Sequence, residues 1–184
     1  MAVSQNTNRG PSAGPENRQA LIDAAREVFG ESGLLAPLNS VARRAGVGQG
    51  SLYRHFPDRI ALGVAVFDDN ITALEDLSTQ ADSTLDDLFD AIADQAIGSA
   101  ALIDLTAANR HDPRAKHLET RLTVVASAML SRDQEHGLVA ARVTVGDVML
   151  SIAMLAFALS RTDQDDRPAV AAQAKAIFHS AFSN

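Results

Sequence analysis

The chain contains no cysteine and no tryptophan, and it has one tyrosine and seven phenylalanines among 184 residues. The absence of cysteine excludes disulfides, thiolate metal sites and a cysteine nucleophile. Aromatic residues are scarce and alanine supplies much of the apolar content, a composition that suits close-packed helices better than a strand-rich sandwich. We therefore expect an all-α protein with almost no sheet.

The chain also lacks a long apolar run. Its most apolar stretch, residues 143–159, is interrupted by Gly146, Asp147 and Ser151, and a span of the bilayer needs about 20 apolar residues. The first sixteen residues are polar and rich in Gly, Pro, Ser and Asn, without the apolar core of a signal peptide. We expect residues 1–16 to form a disordered arm and the protein to be cytoplasmic, with no membrane partner.

Positive charge is scarce overall but unevenly distributed. The formal net charge is −7, yet residues 1–62 hold seven arginines against five acidic residues, whereas residues 63–184 hold nine basic and eighteen acidic residues. The N-terminal part is therefore basic and the remainder strongly acidic. Such a division fits a protein that meets phosphates at one end and is repelled from them at the other.

Apolar residues recur at helical spacing along most of the chain. In the first such segment Leu21, Ala25 and Val28 fall at i, i+4 and i+7, which is typical of an amphipathic helix. Breakers such as Gly33 and Pro57 separate the segments. The predicted helices cover residues 18–31, 38–45, 49–56, 59–77, 84–100, 101–109, 113–132, 144–161 and 168–182.

Two of these helices are short and joined by a glycine turn. The small Ala42 allows two helices to cross closely, Gly46 suits a left-handed helix end, and Val47 fills the core between them. Leu52 and Phe56 lie four apart and should face inward. The residues left to face outward are Gln49, Ser51, Tyr53, Arg54 and His55. This is the chemistry of a helix-turn-helix, although a helical hairpin with an ordinary polar face remains an alternative.

The outward-facing side chains suit DNA. Arginine pairs with guanine edges and glutamine with adenine, whereas Tyr53, His55 and Arg59 are better suited to phosphate oxygens. The alternation Gly46-Val47-Gly48-Gln49-Gly50 superficially looks like a phosphate-cradling loop. It follows a helix and lacks the strand, the spacing and the lysine that nucleotide binding needs.

These residues resemble a known family. Segments 21–29 (LIDAAREVF), 41–47 (VARRAGV) and 50–56 (GSLYRHF), followed by residues 57–59 (PDR) and Leu62, resemble the DNA-binding domain of the TetR family. The resemblance covers about residues 18–62 and implies a three-helix module, a connecting helix, and a homodimer whose recognition helices enter successive major grooves of double-stranded operator DNA. It also implies repression from a palindromic operator that a small-molecule effector relieves.

The resemblance defines a domain at residues 17–62 and a second, effector-binding and dimerisation domain at 63–184. The DNA-binding residues that follow from it are Arg43, Arg44, Gln49, Gly50, Ser51, Tyr53, Arg54, His55 and Arg59. Pro37, Gly48 and Gln49 depart from the usual Thr, Ser and Lys, so non-specific affinity would depend on the arginines, including Arg9 of the arm.

The C-terminal part is similar to the SbtR-like class of C-terminal domains in the run 136–139 (HGLV) and in the residues that follow it. By resemblance, the last two helices pair with those of a second subunit in a four-helix dimer interface. Residues compatible with that packing are Ala153, Ala156, Ala158, Ala172, Ala176 and Phe178. They would equally well cover their own core.

In the family, the ligand pocket lies between the helices that follow the connecting helix. The apolar candidates here are Phe67, Ile71, Phe89, Ile92, Leu105, Met129, Met149 and Met154, each of which is also an ordinary core residue. Asp104, Asn109, Thr123 and Ser127 are polar residues in the same segments and either orient a ligand or face water.

No cofactor, metal or enzymatic activity is expected. Asp86, Asp90 and Asp94 lie at i, i+4 and i+8 and could gather a cation, but such a stripe is usually a solvated helix face. No histidine pair has the i, i+4 spacing of a helical metal site, and no acid, base and nucleophile converge. The alternative to a regulator is a helical small-molecule-binding protein that keeps the helix-turn-helix pattern without operator specificity.

Overall fold

The computed structural model describes residues 14–33, 36–108 and 111–184, and the side chains of all of these except 97–108. Over these residues the chain forms eight α-helices and no strand. The expectation of an all-α fold is confirmed. The helices are α1 (Gly14–Ser32), α2 (Leu38–Arg44), α3 (Gln49–His55), α4 (Arg59–Ser78), α5 (Leu85–Ala108), α6 (Pro113–Glu135), α7 (Val145–Ser160) and α8 (Arg167–Phe182).

The N-terminal domain consists of α1, α2, α3 and the first half of α4 around one apolar core. Its largest fully buried side chains include Leu21, Ile22, Phe29, Leu52 and Leu62. The short helices α2 and α3 bury only one or two residues each. Their stability therefore comes from packing against α1 and α4, because isolated helices of this length do not persist in water.

The C-terminal domain is built from α5 to α8 around the second half of α4. Its core centres on Leu88, Phe89, Met129, Leu155 and Leu159, all of which are fully or almost fully buried. α5 packs against α7, α8 and α6, and α6 lies along α4. No helix in the described part of the chain is long and apolar enough to cross a membrane.

Side-chain caps fix several helix starts. Asp58 accepts the backbone N–H of Ala61 at 2.6 Å at the start of α4. Asp112 caps α6 by accepting the backbone N–H of Arg114 at 2.9 Å. Thr144 and Asp147 form a reciprocal capping box at α7, so the aspartate that interrupts the apolar stretch 143–159 serves to begin a helix.

The largest differences from the predicted helix boundaries lie in α5 and α1. Residues 85–108 form one helix and not two, because Gly98 and Ser99 lower helix propensity without removing a backbone donor, as a proline would. α1 begins at Gly14, so residues 14–16 of the expected arm are helical. The rest of that arm, including Arg9, lies outside the described residues.

Candidate nucleic-acid interface

The turn between α2 and α3 is closed by backbone hydrogen bonds. Gly46 has a φ of 65°, in the left-handed region that favours glycine. The Val47 N–H donates to the Ala42 carbonyl at 2.9 Å, and Val47 packs against the N-terminal core. The turn predicted from residues 42–47 is therefore the one observed, and it sets the angle at which α3 leaves α2.

α3 is anchored on one side only. Leu52 is completely buried and Phe56, just after the helix, is 3% exposed. On the opposite side Gln49, Gly50, Tyr53 and Arg54 are exposed, whereas Ser51 and His55 are half-buried. Arg54 Nε donates to the Gly50 carbonyl at 3.2 Å within the helix. The structure thus brings the predicted base-reading side chains together on one outer face.

Gly50 has no internal reason to be glycine. A Cβ built there meets nothing within 4 Å, and its φ is not positive. A glycine in a helix costs up to about 1 kcal/mol relative to alanine. The position is therefore small without any benefit to the packing of its own domain.

Arg44, one of the predicted DNA contacts, is held within the protein. Its guanidinium lies 2.7 Å from a Glu27 carboxylate oxygen and 2.8 Å from one of Glu31. Both acids belong to α1, and hydrogen bonding to Arg44 lowers the pKa of Glu31. Arg44 therefore links α2 to α1, while its neighbour Arg43 is exposed.

Arg59 is likewise engaged inside the domain. One guanidinium nitrogen donates to the Ala36 carbonyl at 2.8 Å. The same group lies 5.3 Å from the centre of the Phe29 ring, which is within reach of a cation–π interaction. Arg43 and Arg54 are exposed next to the turn and on α3, and Arg44 is 41% exposed but engaged in its two ion pairs.

The predicted ligand-pocket residues separate into three groups. Ile71, Phe89, Ile92 and Met129 are buried, and Met149 is half-buried against the C-terminal core. Phe67 packs instead against the N-terminal core. Met154 is 54% exposed on the outside of α7, and its assignment to a pocket stays a prediction. Leu105, with Asp104 and Asn109, falls outside the described side chains.

An apolar strip lies on the outside of α7 and α8. Leu150, Met154 and Phe157 fall at i, i+4 and i+7 on α7 and are 54–61% exposed, and Ile177 of α8 is 59% exposed. Ala153, Ala172 and Ala176 are exposed beside them. Phe178, predicted for this face, is buried, and its ring centre lies 5.2 Å from that of Phe89. Phe178 therefore belongs to the core of its own domain.

The aspartate stripe on α5 faces α8. Asp86 lies 2.7 Å from His179 Nδ1, and Asp90 forms an ion pair with Lys175. Among the residues whose side chains are described, no group of three or more potential ligands could hold a metal ion. These carboxylates serve as contacts between helices.

A one-sided recognition helix held by a glycine turn on a helical body defines a helix-turn-helix protein. The family model for bacterial regulatory proteins of the tetR family matches residues 21–66, which span most of α1, all of α2 and α3, and the start of α4. An HTH-type transcriptional regulator of Staphylococcus aureus (strain USA300) is 42% identical over 45 residues. That match covers 24% of this chain and 24% of the relative, a quarter of the length of the curated relatives.

Solved structures extend the similarity to the whole fold. A TetR transcriptional regulator from Streptomyces coelicolor superimposes with a TM-score of 0.67 at 26% identity, over 90% of this chain and 98% of that one. A TetR transcription regulatory protein from Mycobacterium vanbaalenii gives 0.66 at 23% identity, over 94% and 98%. In its helix-turn-helix segment and in its overall fold the chain is therefore similar to regulators of the TetR family. Its relatives are named as transcriptional regulators and not as enzymes.

Proposed function

We propose that this protein is a sequence-specific DNA-binding transcriptional regulator that represses from a palindromic operator. The observation that carries the proposal is the face of α3, where Gln49, Tyr53 and Arg54 project together from a helix anchored on its other side by buried Leu52 and Phe56. Arginine and glutamine form bidentate pairs with guanine and adenine in the major groove. Tyr53 suits the flanking phosphates. With DNA as its partner, the protein acts in the cytoplasm.

The proposed active form is a homodimer joined through α7 and α8. A strip containing Leu150, Met154, Phe157 and Ile177 leaves four large apolar side chains in water, an arrangement that favours a protein interface over a free surface. A two-fold dimer presents two copies of α3. Half-sites about 34–36 Å apart place them in successive major grooves.

Release from the operator is proposed to follow binding of an apolar or amphipathic small molecule among the C-terminal helices. Phe89, Ile92 and Met129 supply apolar surface in the core of that domain, and Ile71 of α4 is buried as well. A molecule that inserts there must displace well-packed side chains, since cores have few voids. The displaced helices include those that contact α4, which connects directly to the N-terminal domain.

The test is selection of binding sites from a random pool of duplex DNA. Wild-type protein is compared with Arg54→Ala and Tyr53→Ala, and with Lys116→Ala, which removes one exposed positive charge from α6. We expect a palindromic motif from wild type and from Lys116→Ala. Arg54→Ala should lose the base preference at one position in each half-site and weaken binding to the preferred sequence by about 1–3 kcal/mol. Tyr53→Ala should weaken binding to all sequences equally.

A folded dimer that enriches no motif would contradict operator recognition. Weak binding that is equal on all sequences and falls steeply with salt would instead favour a small-molecule-binding protein without operator specificity. Once a motif is known, a panel of apolar compounds is screened for release of the labelled operator. A compound that raises the Tm of the protein without releasing the DNA would refute regulation through α4.

A further inference from the structure

α4 connects the two domains and carries an unbalanced charge. Its twenty residues include Asp68, Asp69, Glu75 and Asp76 but a single basic residue, Arg59 at its first position. The acidic groups of its second half therefore have no basic partner on their own helix. Their positive partners come from helices on either side, and these helices belong to different domains.

On the side of the C-terminal domain, one arginine of α6 serves several groups of α4. Arg121 donates to both carboxylate oxygens of Glu75 at 2.8 and 2.7 Å and to Thr72 Oγ1 at 3.0 Å. It also forms an ion pair with Asp68. Only 19% of the Arg121 side chain is exposed, and hydrogen bonding to it lowers the pKa of Glu75. The planar guanidinium thus spans two turns of α4.

On the side of the N-terminal domain, Arg26 of α1 contacts Asp69, the residue of α4 that follows Asp68. It contacts Asp69 and the side-chain oxygen of Asn70, each at 3.3 Å. Asn70 is only 8% exposed. Gln19 of α1 adds a hydrogen bond to Asp69 at 2.9 Å. Consecutive helix residues point about 100° apart, so Asp68 can pair with Arg121 of α6 while Asp69 pairs with Arg26 of α1.

Two further arginines keep α6 aligned with α4. Arg114, near the start of α6, lies 3.6 Å from Asp58, the N-terminal cap of α4. Arg132, near the end of α6, donates to the Ser78 carbonyl at 2.7 Å, at the last residue of α4. α6 therefore follows α4 from end to end, and a shift of α6 along this row would strain Arg121 first, because that residue has the most partners on α4.

We propose that Arg121 and Arg26 are positioning residues that fix the angle of α4 between the two domains, and with it the separation of the two recognition helices. Neither is offered as a DNA or effector contact. The two guanidinium groups hold adjacent aspartates from different domains, so losing either one frees α4 to rotate toward the other. The inference rests on the proposed dimer.

The experiment measures that separation directly. Because the chain has no cysteine, a single Asn39→Cys substitution on exposed α2 accepts one spin label per subunit. Pulsed dipolar spectroscopy on the full-length dimer then gives the distance between the two N-terminal domains. The variants are Arg121→Met, Arg121→Lys and Arg26→Met, with Lys116→Met as the control that removes an exposed charge from the same helix.

We expect one narrow distance distribution for the parent and for Lys116→Met. Arg121→Met and Arg26→Met should broaden or shift it. Arg121→Lys should fall between, because a lysine keeps the charge but cannot bridge two carboxylates with a planar fork. Equally narrow, unshifted distributions in all folded variants would overturn the proposal. If Arg121→Met or Arg26→Met does not fold, Arg121→Lys alone decides between the outcomes.

A second readout separates positioning from a general loss of stability. The affinities of the parent and of Arg121→Lys are measured for operators with one base pair added or removed between the half-sites. A positioning role predicts that the ratio of affinities between the best and the altered spacing is at least about fivefold larger for the parent than for the variant. A factor of this size lies within the usual range of coupling between sites. A purely structural role would lower all affinities in parallel. A parent with no dipolar signal is a monomer, which contradicts the proposed dimer and not the contacts of α4.

Discussion

The carboxylate of Asp133, near the end of α6, accepts the backbone N–H of Leu85 at 2.8 Å. Leu85 is the first residue of α5, so the beginning of the central helix of the C-terminal domain is capped by a side chain 48 residues away. Asp133 is 3% exposed. Burial outweighs the hydrogen bond and raises its pKa.

Two replacements of Asp133 should distinguish the contribution of its hydrogen bond to stability from that of its charge. Asp133→Ala leaves a buried N–H without an acceptor and should lower the free energy of unfolding by about 1–3 kcal/mol. Asp133→Asn keeps an acceptor of equal capping strength and should remain much closer to wild type. Urea denaturation of both variants at neutral pH measures the difference. Equal losses would show that the hydrogen bond to Leu85 does not contribute.

The raised pKa of Asp133 also predicts a dependence on pH. A carboxyl whose pKa is higher in the folded state is favoured when protonated, so its contribution is fully present below the unfolded value of 3.8 and declines as pH rises through the folded value. Wild type should therefore lose stability relative to Asp133→Asn over that range. The lowered pKa values of Glu75 and Asp147 act in the opposite sense. Both proteins contain them, and the difference between the two stability curves isolates Asp133.

The two neighbouring arginines of α2 should behave differently toward DNA. Arg43 is exposed, whereas Arg44 is bound to Glu27 and Glu31. Each phosphate contact contributes about 0.9 to the slope of log affinity against log salt concentration. Arg43→Ala should reduce that slope by about one such contact, and Arg44→Ala should leave it unchanged. A salt titration of operator binding measures both slopes, and a reduced slope for Arg44→Ala would mean that DNA displaces the two glutamates.

Gly50→Ala should raise the stability of the folded protein and lower its affinity for the operator. The new Cβ meets nothing within 4 Å, and alanine raises helix stability by up to about 1 kcal/mol. Operator affinity should fall because the methyl group occupies space that the DNA backbone needs. The matched control is Gly146→Ala, since Gly146 is likewise the second residue of its helix, α7, and a Cβ there makes an ordinary contact of 3.5 Å. A Gly50→Ala protein with higher Tm and undiminished affinity would exclude close approach at this position.

The strip on α7 and α8 gives a prediction about assembly. Phe157→Glu or Ile177→Glu places a charge on a face where the native side chains are 61% and 59% exposed. Ile177→Glu should convert a dimer to a folded monomer, because a charge buried in an apolar interface opposes association strongly. Phe157→Glu should have a smaller effect, because Arg161 lies 4.8 Å from the centre of the Phe157 ring and can pair with the new carboxylate. Val124→Glu on α6, where the native side chain is 65% exposed, should leave the dimer intact. Sedimentation velocity and circular dichroism report assembly and folding respectively.

Local patterns were sufficient for much of the N-terminal domain. The turn at Gly46 and the inward-facing Leu52 and Phe56 depend on residues within a few positions of one another. Helical geometry alone converts such spacing into a face, a cap or a stop. The all-helical fold and the outward face of α3 were predicted for this reason.

Contacts between distant segments were not accessible in the same way. Arg44 and Arg59 resemble phosphate ligands until tertiary structure places Glu27, Glu31 and Phe29 beside them. Met154 reads as a core residue, but the rotation of α7 about its axis turns it outward. An arginine or a methionine takes its role from its surroundings, and nothing in its local sequence specifies them.

The amino-acid sequence by itself determined the helices, the glycine turn and the composition of the recognition face, because those follow from backbone propensity and spacing. Tertiary structure decided which charges remain free, which apolar faces stay uncovered, and how α4 is held between Arg26 and Arg121. The reason is physical: ion pairs and packing depend on distances in space between residues that are far apart in the chain.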